Sequence, residues 1–234
     1  MLGVHAQSWA LWLAQALELP FTSLAVNGAR TRDIIAGQLP RLRGPYALAC
    51  VYTGVNDARA PDFDCERFER ELGQVAAACA RSAQQLLMCT IPLDLGRPRA
   101  APKPSVANAA IWRVAARYGA ALVELDDLAG PTRVLPDAVH LTAAGQLEVA
   151  ERALRALGPD VSCVVTAAPA PSRGAVVRYL LTRHAVELTR DLVRRARERP
   201  SVERARGRPT STASASSGSS GRSRRRARGR RSSC

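Results

Sequence analysis

The chain has 234 residues, of which 47% are hydrophobic, enough to bury a core and to exclude wholesale disorder. Its formal charge of +14 is unevenly placed: residues 1–159 hold 16 bases against 15 acids, whereas residues 199–234 hold 11 against one. The excess therefore belongs to the C-terminal stretch, and no apolar run approaches the roughly 20 residues that a membrane span requires.

Read from the N-terminus, the start lacks the basic segment and small-residue cleavage site of a signal peptide. Ser8 suits the cap of a helix over 7–17, with Trp9, Trp12, Leu13, Ala16 and Leu17 at helical spacing. Ser23–Val26 reads as a short strand ending at Asn27-Gly28, and Thr31 as the cap of a short helix stopped by Pro40. Ala47–Thr53 is continuously apolar, as a strand covered on both faces should be, and it stops at Gly54. Phe68, Leu72, Val75 and Cys79 mark one face of a helix over 64–82, and Gln85–Ile91 is the next buried strand.

A loop rich in Pro and Arg (94–104) leads to a helix capped near Ser105, with Ala107, Ile111, Val114 and Tyr118 in register and Gly119 at its exit. Ala121–Leu125 forms a further strand, and the loop 126–141 feeds a helix over 142–157, with Leu147, Ala150, Leu154 and Leu157 inward. Strands thus alternate with helices at βαβ spacing, which implies an α/β three-layer sandwich on a parallel sheet. The domain boundaries expected are 1–158 for this fold, 159–199 for an amphipathic basic helical extension, and 200–234 for a disordered Arg/Ser-rich tail. Val176–Arg197 is the helix of that extension, expected to pack its apolar side on the domain and to leave its arginines in water, with His184 in a structural role.

The six cysteines, Cys50, Cys65, Cys79, Cys89, Cys163 and Cys234, include no CxxC and no Cys/His pairing at metal-ligand spacing. Cys50 and Cys89 lie in apolar runs and read as buried thiols, a usage that fits a reducing cytoplasm. Only one of the 34 bases is a lysine, Lys103, so the Arg bias reads as codon composition rather than as a charged surface. The run SGRSRRRARGRR would hold phosphate non-specifically, but no aromatic residue interleaves it for base stacking. It reads as solvated, with nucleic-acid contact the lesser alternative.

In parallel sheets chemistry gathers at the carboxyl ends of the strands. Three such ends carry polar groups: Asn27-Gly28-Ala29, Gly54-Val55-Asn56-Asp57, and Asp137-Ala138-Val139-His140 followed by LTAAGQ. Each is weak alone, since Asn-Gly is commonest as a turn and a lone His is commonly structural. Together and in this order, over residues 1–158, they resemble the motif blocks of the SGNH hydrolases, the GDSL-type lipases and esterases. That resemblance implies a flavodoxin-like sheet, hydrolysis of a small-molecule carboxylic ester through an acyl-enzyme, and no cofactor or metal.

By the same resemblance His140 is the general base and Asp137 its orienting carboxylate. The Gly28 N–H and the Asn56 side chain form part of the oxyanion hole, and Gly54 and Asp57 support them. Elementary chemistry agrees: ester hydrolysis needs a nucleophile, a base and donors where negative charge develops. Two residues between Asp and His let the carboxylate reach back to the imidazole. The departure is the family's first block, a Gly-Asp-Ser after the first strand, for which this sequence has neither strand nor motif. Leu2-Gly3-Val4-His5 resembles the segment just after that Ser in related sequences, and Ser8 reads as a cap rather than a substitute. The expectation is a start codon placed late in the gene. The alternative is a nucleophile-free relative that binds without turnover.

Overall fold

The computed structural model describes residues 8–96, 102–158 and 172–198. The architecture described is that of the described residues within the unit Met1–Ala196. Helix α1 (Trp9–Ala16) begins at Ser8, whose Oγ accepts from the Leu11 N–H at 3.2 Å. A single turn α2 (Thr31–Asp33) continues as a π turn (Ile34–Gln38) and a 3-10 turn (Leu39–Arg41). Then come β1 (Tyr46–Val51), α3 (Val55–Arg59), α4 (Cys65–Ser82) and β2 (Ala83–Cys89). The chain goes on through α5 (Lys103–Tyr118), β3 (Ala121–Val123), α6 (Ala143–Leu157) and α7 (Arg173–Glu198).

Among the described residues the sheet is three-stranded and parallel in the order β1-β2-β3, with Cys50 opposite Leu87 and Met88 opposite Leu122. Successive residues of β2 serve opposite faces, as the two-residue period of a strand requires. Leu86 and Met88 enter a core with Phe68, Leu72 and Val75 of α4 and Ile111 and Val114 of α5. Leu87 and Cys89 enter a second core with Trp9 and Leu13 of α1 and Val149, Ala153 and Leu154 of α6. Helices on both faces make the expected three-layer α/β/α arrangement, and explain why β2 has no polar alternation.

Several expectations need correction. Ser23–Val26 forms no strand, because no described strand lies beside it to share a ladder; Phe21 and Val26 stand exposed. Thr31 is not a cap: Arg30 holds that position, its N–H bonded to Asp33 Oδ2 at 2.9 Å. Pro40 lies within the final 3-10 turn instead of stopping the helix before it. Among the described residues β1 pairs on one side only, with β2, and Cys50 is exposed, not buried. On α6 the inward face is turned toward Val149 and Ala153, with Leu147 half-buried. His5, Cys163, Cys234 and the 200–234 tail lie outside the described residues.

The late helix forms, but it docks with the opposite face. Arg183 reaches both carboxylate oxygens of Asp94 at 2.7 and 2.8 Å, and Arg190 donates to the Asp137 carbonyl at 2.8 Å. These charge-assisted bonds lie on the side of α7 that carries the buried Tyr179, whereas Val177, Leu180, Leu181, Leu188 and Leu192 face solvent. His184 stands exposed on that same apolar side.

At the carboxyl end of β2 a buried polar cluster ties the layers together. Asn108 accepts from the Ile91 N–H and donates to the Ile91 carbonyl, both at 2.8 Å, satisfying a backbone that has left the ladder. It also donates to Asp126 Oδ1 at 3.0 Å. Thr90 Oγ1 donates to the same oxygen at 2.7 Å and accepts the Leu125 N–H at 2.7 Å. Buried polar groups of this kind are costly when orphaned. Asn108→Ala is expected to lower unfolding stability by about 1–3 kcal/mol, measured as the urea midpoint with an unchanged m-value. Loss of well under that amount would mean water replaces the amide.

Candidate active site

The Asp137–His140 turn is built from its own backbone. Asp137 Oδ1 accepts the N–H groups of Val139 and His140, each at 3.0 Å, which folds the four residues into a tight turn. The second carboxylate oxygen is then left facing the ring, with His140 Nδ1 2.5 Å from Oδ2. Ala138, buried inside the turn, takes a φ of 59°, a conformation rare for a residue with a side chain. The flanks hold it there: Leu135 N–H donates to the His140 carbonyl at 2.7 Å, and Val134 bridges to Leu141. Thr142 caps α6 through Gly145 N–H at 3.1 Å and anchors back to the Thr132 carbonyl.

Burial pushes the Asp137 carboxyl up, but the hydrogen bonds from the His140 ring and from the His140 and Val139 amides outweigh it and hold the group below its usual value. The ring of His140 is 59% exposed against 23% for the Asp137 side chain. The carboxylate is therefore half-sheltered while the imidazole faces the open side.

The second cluster joins the Gly28 turn to the end of β1. Gly28 has φ 80° with open space where a side chain would stand, on the wall of a cleft of about 320 Å³ shared with Val26, Asn27, Ala29 and Gln38. Asn56 Nδ2 donates to the Ala29 carbonyl at 3.0 Å, fixing α3 against this turn. Asp57, buried, accepts the Thr31 N–H at 3.2 Å to each oxygen and the Thr31 hydroxyl at 3.3 Å. Burial raises the Asp57 carboxyl, with Thr31 and Arg30 pulling against it. Gly54 opens α3 at φ 114°, where any Cβ would crowd Phe68 and Ile91 at 3.2 and 3.3 Å. Gly54 and Asp57 are thus placed as supports: one permits the bend, the other holds the Gly28 loop to it.

Gly28, Asn56 and Asp57 gather in one cluster and Asp137 and His140 in another; no hydrogen bond joins the two sets directly among the described residues. Their link is Arg59, at the end of α3, which donates to the Leu95 carbonyl. Asp137 also acts on the Arg59 guanidinium, which burial and then Arg190 lower and Asp137 raises. Gly96 follows Leu95 at φ 67°, and a Cβ there would fall 2.9 Å from Ala138 Cβ and 3.5 Å from the Asp137 carbonyl. Arg59, Gly96 and Arg190 went unnoticed in the sequence. Gly96 lies in a loop of low complexity, and an Arg in a chain with 33 of them carries no signal. Among the described residues no three His, Cys, Asp or Glu side chains gather as a metal site.

A parallel three-layer sheet with an Asp-x-x-His turn and a Gly/Asn-Asp cluster at its strand ends defines an SGNH-type hydrolase scaffold. The chain belongs to the GDSL-like lipase/acylhydrolase family, whose model matches residues 3–147. Solved structures share the fold. TesA is similar at 22% identity and a TM-score of 0.58, over 67% of this chain and 91% of that one. LAE5, an alpha/beta hydrolase enzyme from the metagenome of Lake Arreo, Spain, matches at 21% identity and a TM-score of 0.54, over 67% and 84%. Axe2, an acetylxylan esterase from Geobacillus stearothermophilus, matches at 17% identity and a TM-score of 0.52, over 67% and 82%. No curated protein matches the chain.

The depressed Asp137 carboxyl has a pH consequence. Its folded value lies below the ordinary carboxylate value near 4, so its stabilising contribution is fully present above that and is lost as pH falls through the folded value. The stability gap between the wild type and Asp137→Asn, followed by thermal melts, is expected to hold from pH 7 to about pH 4 and to close below it. A gap that widens on acidification would contradict the assignment.

Proposed function

We propose that the protein is a serine-type carboxylic ester hydrolase acting on a small-molecule ester through an acyl-enzyme. The observation that carries this reading is the Asp137–His140 pair: a carboxylate locked by two backbone N–H groups and aligned on Nδ1 at 2.5 Å. An imidazole held by Nδ1 presents Nε2 as the base, in the tautomer that takes a proton from an attacking hydroxyl and later from water.

The Gly28 N–H and the Asn56 amide would donate to the oxyanion of each tetrahedral intermediate, Asn56 retaining one N–H beyond its bond to Ala29. Arg59 and Gly96 are positioning residues, setting α3 and the His140 turn at a common distance. No serine of the described residues is assigned as the attacking group. Ser8 is occupied as the α1 cap, and Ser105 donates to the Pro102 carbonyl at 2.7 Å.

That last point favours a second reading. Among the described residues the His140 ring bonds to Asp137 and to no hydroxyl. A relative that binds an ester without cleaving it would keep the pocket and the loop and lack the acylated serine. The two readings separate with protein isolated from its native source. Hydrolysis of a short-chain nitrophenyl ester and labelling by a fluorophosphonate are expected. His140→Ala, introduced at the native gene, should lower kcat/KM by about 10²–10⁴-fold. Asn56→Ala should lower kcat by about 10²–10³-fold with little change in KM. Turnover that survives His140→Ala would remove the base from the mechanism, and absence of both turnover and labelling would leave the binding protein.

A further inference from the structure

Helix α7 presents an unusual surface. Val177, Leu180, Leu181, Leu188 and Leu192 fall along one face at spacings of three, four and seven residues, with Leu181 67% and Leu192 65% exposed. The stripe runs about 22 Å at 1.5 Å per residue, longer than the scattered single exposures normal on a protein surface. Reversing the helix to hide it would break the bonds of the other side, where Arg183 is held by Asp94 and, on the same helix, by Glu187, and Arg190 by the Asp137 carbonyl. Beside and at the ends of the stripe stand the exposed arginines Arg173, Arg178 and Arg195. The sequence that continues from the helix, residues 199–234, adds 11 bases against one acid.

We propose that this face of α7 is an interfacial helix that lies on an anionic lipid surface. An apolar stripe flanked by arginines fits a boundary at which acyl chains lie beneath phosphate-bearing headgroups. Helices of this kind sink their apolar side roughly 5–10 Å into that boundary while their cations stay with the headgroups. The charge decides between occupants. A second copy of the same face would bring two sets of arginines together, and a nucleic acid would pair with the arginines and leave the leucines in water. Only an anionic lipid surface satisfies both halves. The docking is independent of catalysis, since none of the stripe residues belongs to the Asp137–His140 or Gly28–Asn56 clusters.

The test is flotation of the full chain with vesicles of phosphatidylcholine containing one-third phosphatidylglycerol, against vesicles of phosphatidylcholine alone. Binding to the anionic vesicles is expected, weakened at least 10-fold on the neutral ones. The variant Leu181→Glu/Leu188→Glu/Leu192→Glu alters only exposed side chains and should lose at least 10-fold on anionic vesicles while its melting temperature holds. Undiminished binding of that variant would assign the attraction to the arginines alone and overturn the proposal. So would failure of the wild type to float. A sedimentation shift from dimer to monomer in the variant, with no vesicles present, would overturn it in favour of self-association.

Discussion

The Asp137 carboxylate accepts three hydrogen bonds within four residues of chain, and the arrangement of the candidate site depends on that. Two go to backbone N–H groups and cost the protein nothing but local geometry; they bend the chain until the third acceptor position meets the imidazole. The strained φ of Ala138 is the geometric consequence. It persists because the turn is fixed from outside at several points: the Val134–Leu141 bridge, the Thr142 cap of α6, the packing of Gly96 and the Arg190 bond to the Asp137 carbonyl. In the proposed function, a histidine held this way needs no rearrangement before it acts as a base.

The same logic governs the other strand ends. Asn56 and Asp57 sit side by side on α3 yet do different work. Asn56 is half-buried, with one N–H on the Ala29 carbonyl, while Asp57 is buried under Thr31 and holds the Gly28 loop against the helix. Arg59, one turn further on, reaches the Leu95 carbonyl, and Gly96 leaves no room for a side chain beside Ala138. Three loops from three strand ends are thus coupled through one short helix. Because α3 begins at Gly54, whose positive φ lets the chain turn over Phe68 and Ile91, the packing of α4 and α5 feeds directly into where Asn56 stands.

How much of the fold and site is legible in the sequence depends on whether local or distant chemistry sets each feature. Helices α1, α4 and α6 are readable because an apolar face at helical spacing and a capping Ser, Asp or Thr act within a few residues; α5 is readable by its apolar face alone, since Pro102 and not Ser105 holds its cap position and Ser105 lies within the first turn. Strand β2 is readable because burial on both faces leaves the apolar run Leu86–Cys89 in its second half. Ser23–Val26 has strand composition but no partner, and a ladder depends on a neighbour rather than on propensity. Cys50 sits in an apolar run, yet the exposure of one edge of β1 is a property of the sheet. The docking of α7 is inverted for the same reason: its amphipathic pattern names a face, and only the placement of Asp94 and the Asp137 carbonyl decides that Arg183 and Arg190 turn inward. The residues Asp137, His140, Gly28 and Asn56 stand out as motifs. Arg59, Gly96 and Arg190 act through backbone carbonyls and close approach, which leave no mark on composition.

The central claim is that Asp137 fixes the His140 ring by its Nδ1 and so presents the opposite nitrogen as a base. The most direct measurement is the imidazole proton spectrum of ¹⁵N-labelled protein in cold, mildly acidic to neutral solution. A far-downfield Nδ1–H resonance assigned to His140 and lost in Asp137→Asn, with the rest of the amide spectrum in place, is the predicted result. Absence of that resonance, or its survival in Asp137→Asn, would contradict the account.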